Sequence, residues 1–311
     1  MENKKPLIVI LGPTAVGKTS TAIKLAKQFH GEIVSADSRL LYRGMDIGTA
    51  KPTLNEQKQV PHHLINVAAP NEVWNLAIYQ RRAYQTIKEI HERGILPFLV
   101  GGTGQYIRAI IEGWQIPPQR PNFSLRDVLT RWSEEIGKAG LHHRLQVIDP
   151  EAASIIDYRN LRRTVRALEV ILITGKRFTD LRKKQASPYA PIILGINRPR
   201  EELYTRIDQR VEAMLDSGLV TEVQNLLGTG YSSDLPTLSA IGYKEVISFL
   251  QGEISYDEAV ALIKKHTRVF VRRQANWFKS DDSQIRWFDA SEKMLGEMED
   301  FIRRQLINVQ K

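Results

Sequence analysis

A glycine-rich stretch at residues 12–20, GPTAVGKTS, has the residue types and the spacing needed to bind phosphate. It fits the pattern G-x-x-x-x-G-K-[ST] through Gly12, Gly17, Lys18 and Thr19. Glycines let backbone N–H groups turn toward an anion, and the N-terminus of a following helix adds a partial positive charge. The lysine supplies a full charge for the outer phosphate, and the threonine hydroxyl is a ligand for Mg²⁺.

The acid that usually accompanies such a loop is missing from its usual place. In nucleotide hydrolases a metal-orienting acid follows an apolar strand, but the apolar run ILPFLV at 95–100 continues directly into GGTG. The chain also lacks an Asn-Lys-x-Asp sequence for reading guanine. An ordinary ATPase or GTPase is therefore disfavoured, and Asp37, at the end of the apolar run EIVSAD, becomes the candidate acid.

Asp37 and Thr103, which lies in the GGTG turn, have structural interpretations as well. Asp37 could cap a loop, and Thr103 could cap the helix that follows the turn. In a parallel sheet, however, the carboxyl ends of the strands line the ligand-binding crevice. We therefore expect both side chains beside the phosphate loop, and their spacing alone leaves the two structural alternatives open.

The elements that must position these residues alternate between strands and helices. Apolar runs at 6–11, 32–37 and 95–100 are predicted strands, and residues 19–31 and 77–93 have the spacing of amphipathic helices. Nearly continuous apolar strands are typical of a parallel sheet covered on both faces. The sequence predicts an α/β fold: a P-loop NTPase-like parallel sheet flanked by helices.

The pattern becomes helical from about Trp114 onward. A proline-rich connection, QIPPQRPN at 115–122, precedes three helical stretches, and the next apolar strand is PIILGIN at 191–197. A long helix is predicted after that strand, and the remainder of the chain is expected to be mostly helical. We predict a catalytic core formed by residues 1–114 and 191–311, the second part including C-terminal helices. Residues 115–190 are predicted to form an inserted all-helical subdomain.

The composition restricts the possible functions. The 311 residues include no cysteine, which excludes disulfides, thiolate zinc sites and cysteine nucleophiles. The apolar run near the N-terminus is short, so it predicts a first strand and no signal peptide. No apolar run reaches the ~18 residues needed to span a membrane. We expect a cytoplasmic protein with no membrane association, and the formal charge of +9 favours a polyanionic partner if the charge is clustered.

Positive charge is concentrated in two helical stretches. In RNLRRTVRALE at 159–169, four arginines have the spacing of one helical face: Arg159, Arg162, Arg163 and Arg166. In LIKKHTRVFVRRQANWFK at 262–279, four basic residues form a second stripe, opposite Ile263, Phe270 and Trp277: Lys265, Arg268, Arg272 and Lys279. A solvated basic face is the simpler interpretation of one such helix, whereas two of them favour a nucleic-acid surface.

Three segments in this order resemble the tRNA dimethylallyltransferases: GPTAVGKTS, DSRLLYRGMDIGTAKP at 37–52 and LVGGTGQY at 99–106. Later segments fit the same family, namely NLRRTVRALEV, TRIDQRVEAML, DLPTLSAIGYKEV, EISYDEAV and RRQANWF, so the similarity covers residues 7–290. Members are P-loop-fold prenyl transferases that attach a dimethylallyl group to the exocyclic amine of the adenine 3′ to the anticodon. A chain without cysteine is similar to the bacterial members, since eukaryotic members have a C-terminal zinc finger.

The resemblance implies that the loop holds the diphosphate of dimethylallyl diphosphate, with Mg²⁺ as cofactor and Thr19 as its protein ligand. Arg206 and Arg210, four residues apart on one predicted helix, are expected to clamp the same group, with Arg210 in the catalytic set. Either arginine could instead pair with Asp208 or Glu212. The implied diphosphate-binding residues are Gly12, Pro13, Thr14, Ala15, Val16, Gly17, Lys18, Thr19, Ser20 and Arg206.

Asp37 matches the family's general base, and Thr103 matches the threonine that orients the reacting groups. The implied partner is the anticodon stem-loop of tRNA, and the expected state is a monomer. The residues that the resemblance places against tRNA are Asp37, Ser38, Arg39, Leu40, Thr103, Arg126, Arg162, Arg163, Arg166, Ile241, Gly242, Tyr243, Lys244, Arg272, Arg273, Gln274 and Trp277.

Other functions remain open on the sequence. The phosphate loop alone is of the type that binds ATP and other nucleotides. An adenylate isopentenyltransferase would use a free adenine nucleotide as acceptor, and a P-loop small-molecule kinase would transfer phosphate. A non-catalytic RNA-binding module would need neither Asp37 nor the loop.

Overall fold

The computed structural model of the chain describes residues 4–116, 121–182 and 186–310. The chain divides into two compact units, a larger one formed by Met1–Ile111 with Ser187–Lys311 and a smaller one formed by Glu112–Ala186. Both boundaries lie slightly before the expected positions at 115 and 191. The middle of the proline-rich connection, residues 117–120, lies outside the described residues.

The larger unit is built on a parallel sheet of six described strands. They are β1 (Lys5–Leu11), β2 (Gly31–Ser35), β3 (His62–His63), β4 (Leu96–Gly101), β5 (Tyr189–Asn197) and β6 (Ile285–Asp289). Their order across the sheet is β3-β2-β4-β1-β5-β6, and all five pairings are parallel. Residues 7–11 of the central strand β1 are fully buried. The predicted fold class is therefore confirmed, and the apolar character of β1 follows from its position inside the sheet.

Helices flank this sheet and also make up the smaller unit. The described helices are α1 (Lys18–Gln28), α2 (Leu54–Gln59), α3 (Leu76–Glu92), α4 (Gly104–Ile111), α5 (Phe123–Ile148), α6 (Pro150–Ile155), α7 (Leu161–Thr174), α8 (Arg200–Asp216), α9 (Leu219–Gly228), α10 (Tyr243–Leu250), α11 (Tyr256–Ala275) and α12 (Met294–Gln310). Within the described ranges, none of them is long and apolar enough to cross a membrane.

The smaller unit has an apolar core of its own, formed mainly between α5 and α7. Leu129, Leu141 and Leu145 of α5 are buried together with Val165 and Leu168 of α7. The long helix α5 is interrupted at Gly137, where φ is 76° and ψ is 158°. Because this core is separate from that of the larger unit, the two units have independent packing.

The C-terminal part is mostly helical, as expected, and it also contains the short strand β6, which pairs with β5 at the edge of the sheet. Strand β6 has only five residues, of which Ile285 and Phe288 are buried, and it is too short to distinguish from a loop by periodicity. Helix α7 begins after Arg159 and α11 ends before Trp277 and Lys279, so these three residues are not members of the helical stripes assigned to them.

Candidate active site

The phosphate loop connects β1 to α1 in a conformation that requires glycine at both ends. Gly12 has a φ of 148° and Gly17 a φ of 110°, values that residues with a side chain rarely adopt. A Cβ atom on Gly12 would also lie 2.7 Å from the carbonyl oxygen of Ile196. The two glycines are therefore needed for the loop to have this conformation at all.

The N-terminus of α1 is available to an anion. Its N-cap, Gly17, makes no side-chain capping bond, and the first turn contains no acidic residue. By contrast, α2 and α11 each begin with a complete capping box, made by Thr53 with Glu56 and by Ser255 with Glu258. Since the first N–H groups of a helix have no intrahelical acceptor, those of α1 can be donated to phosphate oxygens.

Lys18 is held inside the loop by a backbone contact. Its Nζ donates a hydrogen bond of 2.7 Å to the Pro13 carbonyl oxygen. Burial of the ammonium group lowers the pKa of Lys18 to about 8; the nearby charge of Asp37 opposes this shift and that of Arg210 adds to it. The lysine is thus a cation that an arriving phosphate would stabilise.

Two arginines of α8 reach toward the same loop. Nε of Arg206 donates to the Ala15 carbonyl oxygen at 2.9 Å. Burial lowers the pKa of Arg210 from its ordinary value; Asp37 opposes this and Arg206 reinforces it. Arg206 therefore contacts the loop directly, and Arg210 lies close enough to Lys18 to lower the pKa of that lysine.

The alternative pairing of these arginines with acids of their own helix is not observed. In the described part of the chain, Asp208 pairs instead with Arg268, and Glu212 pairs with Lys264 at 2.7 Å. Both partners belong to α11, so these ion pairs join α8 to α11. Arg206 instead contacts the phosphate loop through its bond to the Ala15 carbonyl oxygen.

Asp37 and Thr103 follow the carboxyl ends of the neighbouring strands β2 and β4. The Oγ1 atom of Thr103 accepts a hydrogen bond of 3.0 Å from the Ser38 N–H, and its own N–H donates to Ala36 at 3.1 Å. Asp37 Oδ1 accepts from the Arg39 N–H at 2.9 Å. Thr103 thus joins the two strand ends, which accounts for its hydroxyl without the helix-capping role considered from the sequence.

Two tyrosines that the sequence did not single out lie close to Asp37. Tyr79 of α3 and Tyr106 of α4 stack with ring centroids 3.7 Å apart, and the Tyr79 hydroxyl donates to the Ser35 carbonyl oxygen. Burial raises the pKa of both phenols, and the charge of Asp37 adds to the effect. Their helical spacing in the sequence was no different from that of ordinary core residues.

Glu222 of α9, also missed from the sequence, fixes the segment MDIGTAKP at 45–52. Its carboxylate accepts hydrogen bonds from the backbone N–H groups of Asp46, Ile47 and Gly48, at 2.7–3.1 Å. The Tyr243 hydroxyl donates to the same carboxylate at 2.6 Å. Only the folded chain brings α9 and α10 to this segment, so no local sequence signal could have identified the contact.

Lys51 stabilises the same segment through buried hydrogen bonds. Its side chain is 2% exposed, and its Nζ donates to the Tyr42 carbonyl oxygen, Asn66 Oδ1 and Asp46 Oδ1 at 2.5–2.7 Å. Burial lowers the pKa of Lys51, and its partner Asp46 opposes that shift. Two charged groups therefore hold this segment in place, the buried ammonium of Lys51 and the carboxylate of Glu222. Each of them is bonded to several groups.

Three residues assigned to the tRNA surface are buried in the larger unit: Gly242, Tyr243 and Gln274. Tyr243 is fully buried, and its hydroxyl is bonded to Glu222. Gln274 is 5% exposed, with both ends of its amide bonded to backbone groups. The polar atoms of Tyr243 and Gln274 are already used within the protein, so their direct contact with RNA stays a prediction that the structure does not favour.

The other assigned residues of the larger unit have varied environments. Arg39 Nη1 donates to the carbonyl oxygens of Pro236 and Thr237. Gly242 is buried, and three others, Leu40, Ile241 and Trp277, are half-buried; Lys244, Arg272 and Arg273 are exposed. The last turn of α11 therefore has two exposed arginines, Arg272 and Arg273, whereas the side chain of Gln274 in the same turn is buried.

In the smaller unit, Arg126 and Arg166 share one acid. Both pair with Glu169, at 2.9 and 2.6 Å, and Glu169 also accepts from the Asn122 N–H at 2.7 Å. Burial by itself raises the pKa of the Glu169 carboxyl, but hydrogen bonds from the two arginines outweigh it and leave that pKa below its usual value. The trio retains one net positive charge at a partly exposed position.

The remaining arginines of this cluster differ from one another. Arg162 and Arg163 are exposed in the first turn of α7. Arg159 lies before the helix and pairs with Asp157 at 2.6 Å. The sequence placed all of them on one helical face, but the N-cap Asn160 begins the helix after Arg159 and removes it from that face.

The described residues include no group of three or more His, Cys, Asp or Glu side chains that could hold a metal unaided. Thr19 lies in the first turn of α1, where its hydroxyl is the motif's metal-ligating group. Mg²⁺ usually binds through one or two protein groups together with substrate phosphates. The donor set here fits a metal that arrives with a diphosphate, and it does not fit a permanent structural metal.

Comparisons with known proteins agree with this geometry. The family model described as IPP transferase matches residues 40–281. The tRNA dimethylallyltransferase of Thermomicrobium roseum is 48% identical over 292 residues, which cover 94% of this chain and 88% of that protein.

Solved structures are similar over nearly the whole chain. The full-length tRNA isopentenylpyrophosphate transferase from Bacillus halodurans aligns with a TM-score of 0.74 at 41% identity, covering 99% of this chain and 98% of its own. A eukaryotic dimethylallyltransferase acting on tRNA aligns with a TM-score of 0.80 at 26% identity, covering 97% of this chain and 78% of its own.

Proposed function

The chain belongs to the IPP transferase family, and we propose that it transfers a dimethylallyl group from dimethylallyl diphosphate to tRNA. The acceptor is the exocyclic amine of the adenine 3′ to the anticodon, and pyrophosphate is released. The protein is accordingly a prenyl transferase enzyme. A phosphate loop in this protein thus binds a group that leaves, and no phosphoryl group is transferred.

The arrangement of charge around Asp37 is the observation that supports this proposal most strongly. Asp37 follows β2 and Lys18 follows β1 at the same edge of the parallel sheet, and Arg206 of α8 contacts the loop between β1 and Lys18. The charge of Asp37 raises the pKa of both Lys18 and Arg210 against the effect of burial. One carboxylate therefore lies near two cations that face the phosphate loop. A site with this arrangement can bind a diphosphate on one side and accept a proton on the other.

The reaction requires displacement at the first carbon of the prenyl chain. The nitrogen of the adenine amine attacks this carbon while the bond between the carbon and the diphosphate oxygen breaks. The oxygen keeps the electron pair of that bond. The amine proton passes to the carboxylate of Asp37, which acts as general base. Thr103 positions Asp37 indirectly, because its hydroxyl holds the Ser38 N–H next to that residue.

Departure of pyrophosphate is assisted by groups that are already in place. Lys18, Arg206 and Arg210, together with the open N-terminus of α1, stabilise negative charge without reorganisation. Thr19 is the residue that would hold Mg²⁺, whose chemistry is to neutralise charge on the leaving diphosphate. Gly12 and Gly17 let the loop backbone approach the anion closely.

The tRNA anticodon stem-loop is the proposed partner, and each unit taken by itself carries basic residues suited to phosphate contacts. Arg162 and Arg163 of α7 and Arg272 and Arg273 of α11 are exposed and suited to phosphate contacts. Arg126 and Arg166, with Glu169, offer one further net charge. The target adenine must leave its stack to reach Asp37. We further propose that the protein acts as a cytoplasmic monomer.

One assay tests the proposed function. The protein is incubated with Mg²⁺, unmodified tRNA and dimethylallyl diphosphate labelled in the prenyl group. Label should appear on the adenine 3′ to the anticodon, with one pyrophosphate released for each group transferred. The matched control is Lys18→Ala, which removes the positive charge that stabilises the diphosphate and should lower turnover by about 10²–10³.

The alternatives give different results in the same experiment. Label on AMP but not on tRNA would identify an adenylate isopentenyltransferase. Phosphoryl transfer from ATP without prenylation would identify a small-molecule kinase. Binding of tRNA with no transfer from either donor would leave a non-catalytic RNA-binding protein. Each of these outcomes overturns the proposal.

A further inference from the structure

Gln274, in the last turn of α11, joins two loops of the candidate active site. Its Oε1 accepts a hydrogen bond of 2.9 Å from the Thr14 N–H, and its Nε2 donates one of 3.0 Å to the Gly102 carbonyl oxygen. Thr14 belongs to the phosphate loop, and Gly102 directly precedes Thr103. With its side chain buried, Gln274 forms a bridge from which water is excluded.

The turn that receives this bridge is shaped to fit the end of α11. A Cβ on Gly102 would lie 2.4 Å from Gln274 Nε2 and 3.7 Å from Lys18 Nζ, and one on Gly104 would lie 2.2 Å from Trp277 Cγ. The GGTG turn thus uses glycines where side chains of the RRQANWF segment occupy the space. A hydrogen bond of 3.2 Å from Nη2 of Arg108 to the Trp277 carbonyl oxygen holds the segment that follows α11.

We propose that Gln274 is a positioning residue for prenyl transfer, an inference that rests on the proposed function above. The bridge fixes the loop that binds the leaving diphosphate relative to the turn that holds Thr103. Thr103 in turn bonds to Ser38 and Ala36, on either side of Asp37. Hydrogen bonds through Gln274 and Thr103, connected by the peptide bond between Gly102 and Thr103, therefore link the phosphate loop to the residues next to Asp37.

Prenyl transfer is sensitive to this linkage because the reacting carbon lies between the two sites. The amine must approach on the side opposite the departing oxygen, so the distance between the loops sets the alignment. A displacement of about 1 Å in such a geometry lowers the rate up to about 100-fold. A buried glutamine amide suits this task, since it offers one acceptor and one donor and does not change charge with pH.

Two single variants and their combination test the proposal. Gln274→Ala removes both bonds, and Gly102→Ala pushes the amide of Gln274 out of its place while leaving its chemistry intact. The control is Gln80→Ala, because Gln80 is a half-buried glutamine whose Nε2 likewise donates to a backbone carbonyl, that of Ala109, outside the phosphate loop. For each protein, kcat, the KM for dimethylallyl diphosphate, the Kd for tRNA and the melting temperature are measured.

Each single variant should lower kcat at saturating substrates by about 10- to 100-fold. The Kd for tRNA should remain within about twofold of wild type, since no RNA contact is lost. The double variant should be no slower than Gln274→Ala, because the space that the new methyl group needs is then empty. Gln80→Ala should lower the melting temperature comparably and leave kcat unchanged.

Three results overturn the proposal. An unchanged kcat with a raised Kd for tRNA would make Gln274 an RNA contact. Rate losses that multiply in the double variant would show that Gly102 and Gln274 act separately. Equal effects of Gln274→Ala and Gln80→Ala on kcat would indicate a general loss of stability. If Gln274→Ala does not fold, Gly102→Ala alone decides through its kcat and Kd. Absence of prenylated tRNA with the wild-type protein instead defeats the proposed function itself.

Discussion

Two pairs of partly buried cations, Lys18 with Arg210 in the larger unit and Arg126 with Arg166 in the smaller one, differ in how their charge is balanced. Arg126 and Arg166 pair directly with the buried carboxylate of Glu169. In the described part of the chain, Asp37 forms no direct ion pair with Lys18 or Arg210. Burial accordingly lowers the pKa of both these cations, whereas the hydrogen bonds of Glu169 lower the pKa of the acid.

This difference distinguishes cations that bind a ligand from cations that stabilise the fold. Cations that are buried without a direct counter-charge are unfavourable in the protein alone and become favourable when an anion arrives. Cations paired with a buried acid are already stabilised, and removing that acid leaves them unsatisfied. We therefore expect charge changes around the phosphate loop to affect turnover, and charge changes around Glu169 to affect folding of the smaller unit.

The largest expected effect is that of Asp37→Ala. Loss of a general base should lower kcat by about 10²–10⁴, while the Kd for tRNA and the melting temperature change little. Single-turnover kinetics with saturating tRNA measure the effect, and Asp216→Ala, at an exposed position of α8, is the control. If Asp37→Ala instead unfolds the protein and leaves the rate of the folded fraction intact, the contrast with Glu169 is lost.

Glu169→Gln should have the next largest effect and act on stability. Breaking a buried ion pair from one side costs roughly 3–5 kcal/mol, and the partial exposure of both arginines places the expected loss near the lower end. Hydrogen exchange of α5 and α7 measures it, with Glu134→Gln, at an exposed position of α5, as control. Unchanged protection of these helices would refute a supporting role for Glu169.

A smaller effect is expected from pH. Lys18 is charged below its pKa of about 8 and loses its proton above it, so kcat/KM for dimethylallyl diphosphate should fall as the pH rises through about 8. The pH dependence of kcat/KM reports the pKa of the group in the free enzyme. In Lys18→Arg the fall should disappear from this range, because arginine stays charged. The same fall in both proteins would assign it to another group.

The smallest expected effect distinguishes Arg163, in the first turn of α7, from Arg159, which lies before that helix. Arg163→Ala should reduce the salt slope of tRNA binding by about one, since Arg163 is exposed. Arg159→Ala should reduce it less, because Arg159 is already paired with Asp157. Titrations of tRNA binding over a series of salt concentrations measure both slopes. Equal slopes for the two variants would mean that pairing does not decide which arginines meet phosphate.

Features that depend on neighbouring residues were predictable from the sequence. The glycine spacing at 12–17 and the apolar run before it required a strand, a turn and a helix in that order, and β1 and α1 have these positions. Near-continuous apolar runs predicted a parallel sheet for the same local reason. The residues singled out after β2 and β4, Asp37 and Thr103, follow because strand ends in such a sheet share one edge.

Features that depend on distant residues were not predictable. The family resemblance placed Tyr243 and Gln274 at an RNA surface, yet both are buried. Glu222 had no local signal, although it accepts four hydrogen bonds. Burial and partners of such side chains depend on which elements pack against them, and a single sequence does not contain that information.

The sequence by itself determined that this protein has a phosphate loop on a parallel sheet, since glycine backbone freedom and hydrophobic periodicity act over a few residues. Only the tertiary structure decided how that loop is held. Gln274 meets Thr14 across 260 residues of sequence, and α8 brings Arg206 to Ala15 across 191. Hydrogen bonds form between groups that the packing of helices brings within 3 Å, whatever their separation in the chain.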